Sequence, residues 1–251
     1  MGSFLARVAD WLTDSAHWHR SASFAGIPAL LGSHLELVGL SLLLAMAVAL
    51  PAGLVLGHTG RGGFLAINVT NVGRALPALA LLTLAFQAFG IGLRTPLLSI
   101  TLLSIPPILT NTYTAIRSVD QADRDAARGM GMTPLQVLAR VEVPSSVPLI
   151  FAGVRTAAVQ AVATATLAAL VAYDCLGSII ELGLGRNDQV EIFSGAVLVV
   201  ALALVVEVAL ALVQRAVTPT GLRLADRRVA RRRLRQGGAD GTLVDATVGW
   251  A

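Results

Sequence analysis

Five stretches of this chain, His34 to Leu56, Phe64 to Phe89, Pro96 to Ile116, Val147 to Ala172 and Ile192 to Arg215, are each long and apolar enough to cross a bilayer. A helix needs ~20 such residues, at ~1.5 Å rise each, to span a hydrocarbon core of ~30 Å. Nothing else in the sequence constrains the fold as strongly, because inside lipid every backbone N–H and C=O must be paired within the segment or around a closed barrel. Runs of this length are helical runs. Apolar residues make up 55% of the chain and charged residues 14%, the composition of an integral membrane protein. The expected fold class is an all-α integral membrane protein with about five transmembrane helices. Residues 1–33 form an extracytoplasmic or interfacial amino-terminal segment, 34–216 the transmembrane domain, and 217–251 a basic, disordered cytoplasmic tail.

Arginine placement orients the spans, since the chain has no lysine. One set of connectors holds Arg61, Arg117, Arg124, Arg128, Arg140 and the seven tail arginines from Arg223 to Arg235; the other holds Arg7, Arg20, Arg94 and Arg186. The positive-inside rule puts the first set in the cytoplasm, with the amino terminus outside. The tail arginines carry most of that difference. A basic run directly after a span reads as an anchor on anionic lipid headgroups, not as a nucleic-acid site. At the other end, Phe4, Leu5, Val8, Trp11 and Leu12 share one helical face, as in an interfacial helix. The apolar patch from Phe24 to Leu31 is too brief to span and reads as a re-entrant or surface segment. His17 and His19, two residues apart, are poorly spaced for a metal on a helix, and Trp18 between them suits a membrane interface.

The polar stretch from Asp125 to Pro144 stands out between two apolar runs. Asp123 and Asp125 place negative charge in the first turn of a short helix, Ala126 and Ala127 allow close approach, and Gly129 and Gly131 permit a turn. Thr133-Pro134 suits the cap and first position of a second helix, Pro134 to Val141. Pro144 and Pro148 then mark the start of the next span. Two short helices at an angle read as a docking element; the bland alternative is an amphipathic connector.

Asp125-Ala126-Ala127, then Gly131, then Val141-x-Val143-Pro144 resembles the cytoplasmic "EAA" signature of ABC importer permeases of the binding-protein-dependent type, in the osmoprotectant branch. The resemblance covers His34 to Arg215 and includes Pro106-Pro107, the triplet Asn111-Thr112-Tyr113 and Gly153-Val154-Arg155-Thr156-Ala157. It implies a MetI-like permease with short cytoplasmic coupling helices in a loop spanning 117–146. Asp125, Ala126, Ala127, Gly131, Val141, Val143 and Pro144 would then couple to an ABC ATPase subunit. The other implied partners are a second permease subunit, the same or related, and an extracytoplasmic solute-binding protein. The implied location is the cytoplasmic membrane of a bacterium, and the implied cargo a compatible solute such as glycine betaine, carnitine, choline or proline. ATP and Mg would be bound by the partner, with no cofactor in this chain.

Independently of that resemblance, the absence of lysine excludes an ordinary P-loop here. A single cysteine, Cys175, excludes an internal disulfide and reads as a small packing residue. The four histidines, His17, His19, His34 and His58, read as scattered and peripheral. No nucleophile, base and orienter arrangement is evident, so the chain reads as a transport subunit and not an enzyme. Asn71, Arg74 and Pro77 in the second span, and Asn111, Thr112 and Tyr113 in the third, are candidates for the translocation path or for helix packing. Arg74 departs from the resembled family, where a glutamine is usual, and either lines a path or snorkels to headgroups. Arg155 is expected to pair with loop carboxylates or headgroups. Gly53 and Gly57, four apart, permit a close helix crossing. Residues Ala172 to Asp188 read as a glycine-rich outer loop in which Asp174 and Glu181 are solvated or meet a binding protein. Two other readings remain: an ABC permease for amino acids or another small solute, and a secondary transporter or channel, for which Glu207 is the one carboxylate deep in a span.

Overall fold

The computed structural model describes residues 2–19, 25–64, 68, 71, 73 and 75–218, and these are helical with no strands among them. Arg20, Arg74 and the tail arginines lie outside the described residues, so the expectations placed on them have no structural counterpart here. In chain order the helices are α1 (Gly2–Thr13), α2 (Ser15–Trp18), α3 (Ile27–Thr59), α4 (Ala78–Phe89), α5 (Arg94–Arg117), α6 (Gln121–Gly129), α7 (Pro134–Val137), α8 (Val143–Ala165), α9 (Gly177–Arg186) and α10 (Gln189–Val217).

The first span begins at Ile27, ahead of the expected His34. Gly26, at φ 81°, breaks the chain there, and Pro28 supplies the fixed φ of a first turn. Ile27 to Leu31 is therefore the start of α3 and not a surface segment; Ile27 and Leu30 are buried. The second stretch is not one helix. It breaks at Leu76 and Pro77, and α4 resumes at Ala78 with 12 residues. Among the described residues, three helical stretches are long and apolar enough to cross a membrane: Ile27–Thr59, Pro134–Val171 and Gln189–Val217. Helix α5 has 24 residues but is richer in Ser, Thr and Pro. Length and apolarity alone therefore do not reach the expected five.

Helix α5 is the centre of the bundle, packed between α3 and α8. Small residues make this possible. A Cβ at Gly53 would lie 2.7 Å from Thr112 Cβ, one at Gly57 2.7 Å from Ile116 Cβ, and one at Gly153 2.5 Å from Asn111 Cβ. Without those side chains the backbones of α3 and α8 approach α5 closely, which is how helices associate where no hydrophobic effect separates protein from lipid. Ala45, Ala49, Ile108, Leu109, Val154 and Ala157 fill this end of the core. The other end joins Leu37, Val38, Val162, Ala165, Cys175, Leu176 and Ile179.

His34, expected at the periphery, is fully buried in that second cluster, with Nε2 3.1 Å from Val162 O. Cys175 is buried too, its Sγ 3.3 Å from Ala165 O, and burial pushes its thiol pKa up. The expected outer loop is a turn followed by a helix. A 3-10 segment, Thr166–Val171, ends at Ala172 in the left-handed region, and α9 occupies Gly177–Arg186. Gly177 and Gly183 serve packing there: a Cβ would sit 2.0 Å from Thr166 O and 2.7 Å from Ile192 N respectively. Helix α1 packs on α10 through Phe4 and Phe193, edge to face at 5.5 Å. His17 stacks on Trp11 at 4.0 Å. No metal-ligand cluster occurs among the described residues.

Candidate coupling site

The loop between α5 and α8 is built from caps. Asp120 accepts from Ala122 N at 2.9 Å and starts α6, so of Asp123 and Asp125, both expected in the first turn, only the former is there. Asp123 lies in the first turn; Asp125 sits in the second, accepting from Gln121 at 2.9 Å with Arg128 at 3.6 Å. Gly131, at φ 80°, turns the chain in the region that favours glycine. Thr133 then caps α7 in a capping box with Gln136, with Pro134 at the first position. These local choices follow from the sequence.

The end of the second coupling helix does not. In place of a stop near Val141, the helix continues through a π turn, Leu138–Glu142, directly into α8. Pro144 explains it. In an α-helix its ring would press on the carbonyl four residues back and its missing N–H would leave that carbonyl unpaired. The wider turn, with Val143 N bonding Leu138 O, takes up the misfit.

The loop has two faces. The inner one is anchored. Ala127 and Val137 are buried, and Ser146 Oγ donates to Ala115 O at 2.9 Å. Glu142, 0% exposed, lies 2.7 Å from His58 Nδ1 through Oε2 and 3.2 Å from Arg124 Nε through Oε1. A carboxylate only accepts, so Nδ1 of His58 carries the proton. The Arg124 Nε contact lies outside hydrogen-bond geometry and is electrostatic, while the far nitrogen of Arg124 donates to Ile116 O. Removing one partner from a buried pair of this kind costs about 3–5 kcal/mol. His58 is thus no peripheral histidine, and Arg124 does more than set topology. Sequence reading missed Glu142 and His58 because they lie 84 residues apart.

The outer face is bare. Met130 and Leu135 are each 72% exposed, beside the exposed Asp125, Ala126, Arg128 and Gly131. Of the candidate coupling residues, Asp125, Ala126 and Gly131 face outward, Ala127 is buried, and Val141, Val143 and Pro144 are half-buried where the helix joins α8.

The candidate path residues divide differently. Asn111 Nδ2 donates to Pro107 O at 2.8 Å within α5 and packs on Gly153. Thr112 is fully buried against Gly53 with no partner for its hydroxyl, and the Tyr113 hydroxyl fills the space above Gly63. All three are engaged in packing in this chain. Asn71 and Pro77 are exposed; Arg74 lies outside the described residues. Arg155 does not reach loop carboxylates: it pairs with Glu207 of α10 and donates to Gln214 Oε1 at 2.8 Å. Gln214 in turn donates to Pro148 O at 3.0 Å. The Arg155–Glu207 pair borders a groove of about 700 Å³ between α8 and α10, with Thr156 and Gln160 also on its wall. Glu207, the carboxylate expected deep in a span, is thus held by a cation of the neighbouring helix.

Three comparisons bear on this geometry. Residues 49–220 match the family model described as the binding-protein-dependent transport system inner membrane component. The chain is 35% identical over 189 residues to the choline transport system permease protein OpuBB of Bacillus subtilis, covering 75% of this chain and 87% of that protein. It is 36% identical over 188 residues to the osmoprotectant import permease protein OsmY of Salmonella typhimurium, covering 74% of this chain and 80% of that one. In structure it is similar to a chain of the MetNI methionine ABC transporter in an inward-facing conformation, with a TM-score of 0.67 at 21% identity, covering 77% of this chain and 96% of the other.

Proposed function

Because this chain belongs to the family of binding-protein-dependent transport system inner membrane components, we propose that it is the permease subunit of an ABC importer for compatible solutes. Membership makes it a transport subunit, with ATP hydrolysis on a separate subunit. The relatives named for choline, glycine betaine, carnitine and osmoprotectant transport support the cargo class. In this reading the α6–α7 loop lies in the cytoplasm and receives the ATPase, which binds ATP and Mg. A second permease subunit completes the path, and an extracytoplasmic binding protein delivers the solute. The amino terminus is outside and the basic tail inside, against anionic headgroups.

One observation carries the coupling part: an exposed surface of Met130, Leu135 and Asp125 stands on a scaffold held from behind by fully buried charge. A mere connector has no use for so rigid a backing. Apolar side chains bared on a membrane protein's polar loop mark an interaction site, and an ATPase groove is the partner the family supplies. Closure of the ATPase subunits would draw the loops together and rock the spans to alternate access. The test is uptake of labelled choline, glycine betaine, carnitine and proline by cells with and without the chain, together with copurification of its ATPase. ATP-dependent uptake of at least one of them is expected. Concentrative uptake by the chain alone in vesicles would refute the reading.

A further inference from the structure

The coupling loop is joined by main chain to α5 and α8 only. Helix α3 ends at Thr59, before α4 and α5 intervene, so any force on the loop reaches its lower end through side chains. One set of those side chains converges on a carboxylate. Glu142, the last residue of the π turn, holds His58 from the last turn of α3 and Arg124 from α6, and Arg124 also donates to Ile116 O near the end of α5. On its other side α3 is seated on α5 by Gly53 and Gly57.

The geometry points to Glu142 as a positioning residue for coupling: by binding His58 and Arg124 in one buried cluster, it makes the lower end of α3 travel with the loop. This rests on the reading that the loop receives the ATPase. The chemistry of the cluster favours a linkage over a simple filler. An apolar cluster of the same volume would hold the elements together at least as well, since burying the charges of Glu142 and Arg124 carries a large desolvation penalty. Apolar contacts, however, slide. A directional bond of 2.7 Å between a histidine nitrogen and a carboxylate fixes the two helices' positions along each other. Glu142 neither contacts solute nor presents itself to a partner, being fully buried.

The test uses the assembled importer, this chain with the ATPase and binding protein that copurify with it, in proteoliposomes. His58→Leu and Glu142→Leu are expected to retain the ATPase but to lower solute imported per ATP hydrolysed by about tenfold, the worth of one charged hydrogen bond. His58→Asn, whose amide nitrogen takes the place of Nδ1, is expected to restore most of that ratio, which a purely packing role would not. A second readout follows α3 itself. Thr59→Cys is exposed, and the native Cys175 is buried and gives little background. Its labelling rate is expected to differ between nucleotide-free and vanadate-trapped complexes, to lose that difference with His58→Leu and to regain it with His58→Asn. Should Glu142→Leu fail to assemble, the position-58 variants decide alone. Wild-type import per ATP with His58→Leu, or a Thr59→Cys response that survives it, would overturn the linkage while leaving the permease reading intact. Uptake that needs no ATPase would bring down both.

Discussion

At the scale of single residues, space and backbone conformation make different predictions for glycines that look alike in the sequence. A Cβ at Gly131 would meet nothing within 4 Å, yet its φ of 80° belongs to the left-handed region. Substitution there strains the backbone by roughly 1–2 kcal/mol without a clash. Gly131→Asn is therefore expected to keep most ATP-driven uptake, and Gly131→Val to lose it while still inserting in the membrane; equal uptake by the two would count against the turn as the reason for glycine. The Arg155–Glu207 pair makes a second residue-scale prediction. Glu207→Ala leaves a guanidinium in the span with one partner fewer, whereas a double Arg155→Gln, Glu207→Gln variant leaves no charge at all. The single variant is expected to melt lower in detergent than the double, which thermal unfolding of the two beside the unaltered protein measures.

At the scale of elements, the seam between α3 and α5 carries the packing prediction. Gly57→Ala puts a methyl 2.7 Å from Ile116 Cβ and 3.2 Å from Tyr113 O, and overpacking of this kind costs about 1–3 kcal/mol. Gly39→Ala, in the same helix with nothing within 4 Å, is expected to be neutral or to stabilise by up to ~1 kcal/mol. Comparing their unfolding midpoints separates crossing from helix propensity. Much of this level was legible in the sequence: the apolar runs located α3, α5, α8 and α10, the Gly53–Gly57 spacing located the crossing, and Thr133-Pro134 located a cap. What was not legible has physical causes. Gly183 and Gly185 suggested a loop, but α9 uses Gly183 for contact with α10. The second short helix was expected to end near Val141, and ahead of Pro144 the chain instead runs on through a wider turn. His58 and Glu142 meet only because α3 and α8 both flank α5, and no local pattern announces that.

At the scale of the whole molecule, the proposed orientation predicts which surfaces water reaches from each side. A cysteine at Met130, on the loop, is expected to react with a membrane-impermeant maleimide only from the cytosol, and one at Glu181, exposed on α9, only from outside. Labelling of both from one side would invalidate the arrangement. Of the three long apolar helices, α10 is the least buried, so the bundle offers it as the span with most surface left for lipid or for a second subunit. The π turn at Leu138–Glu142 has an effect that reaches across this bundle. One surplus residue in a helix advances every later side chain by about 100° in azimuth. The wide turn thus sets the phase in which α8 delivers Gly153 to α5 and Arg155 to Glu207, so deleting a residue inside it would turn the entire membrane stretch of α8 like a mis-meshed gear.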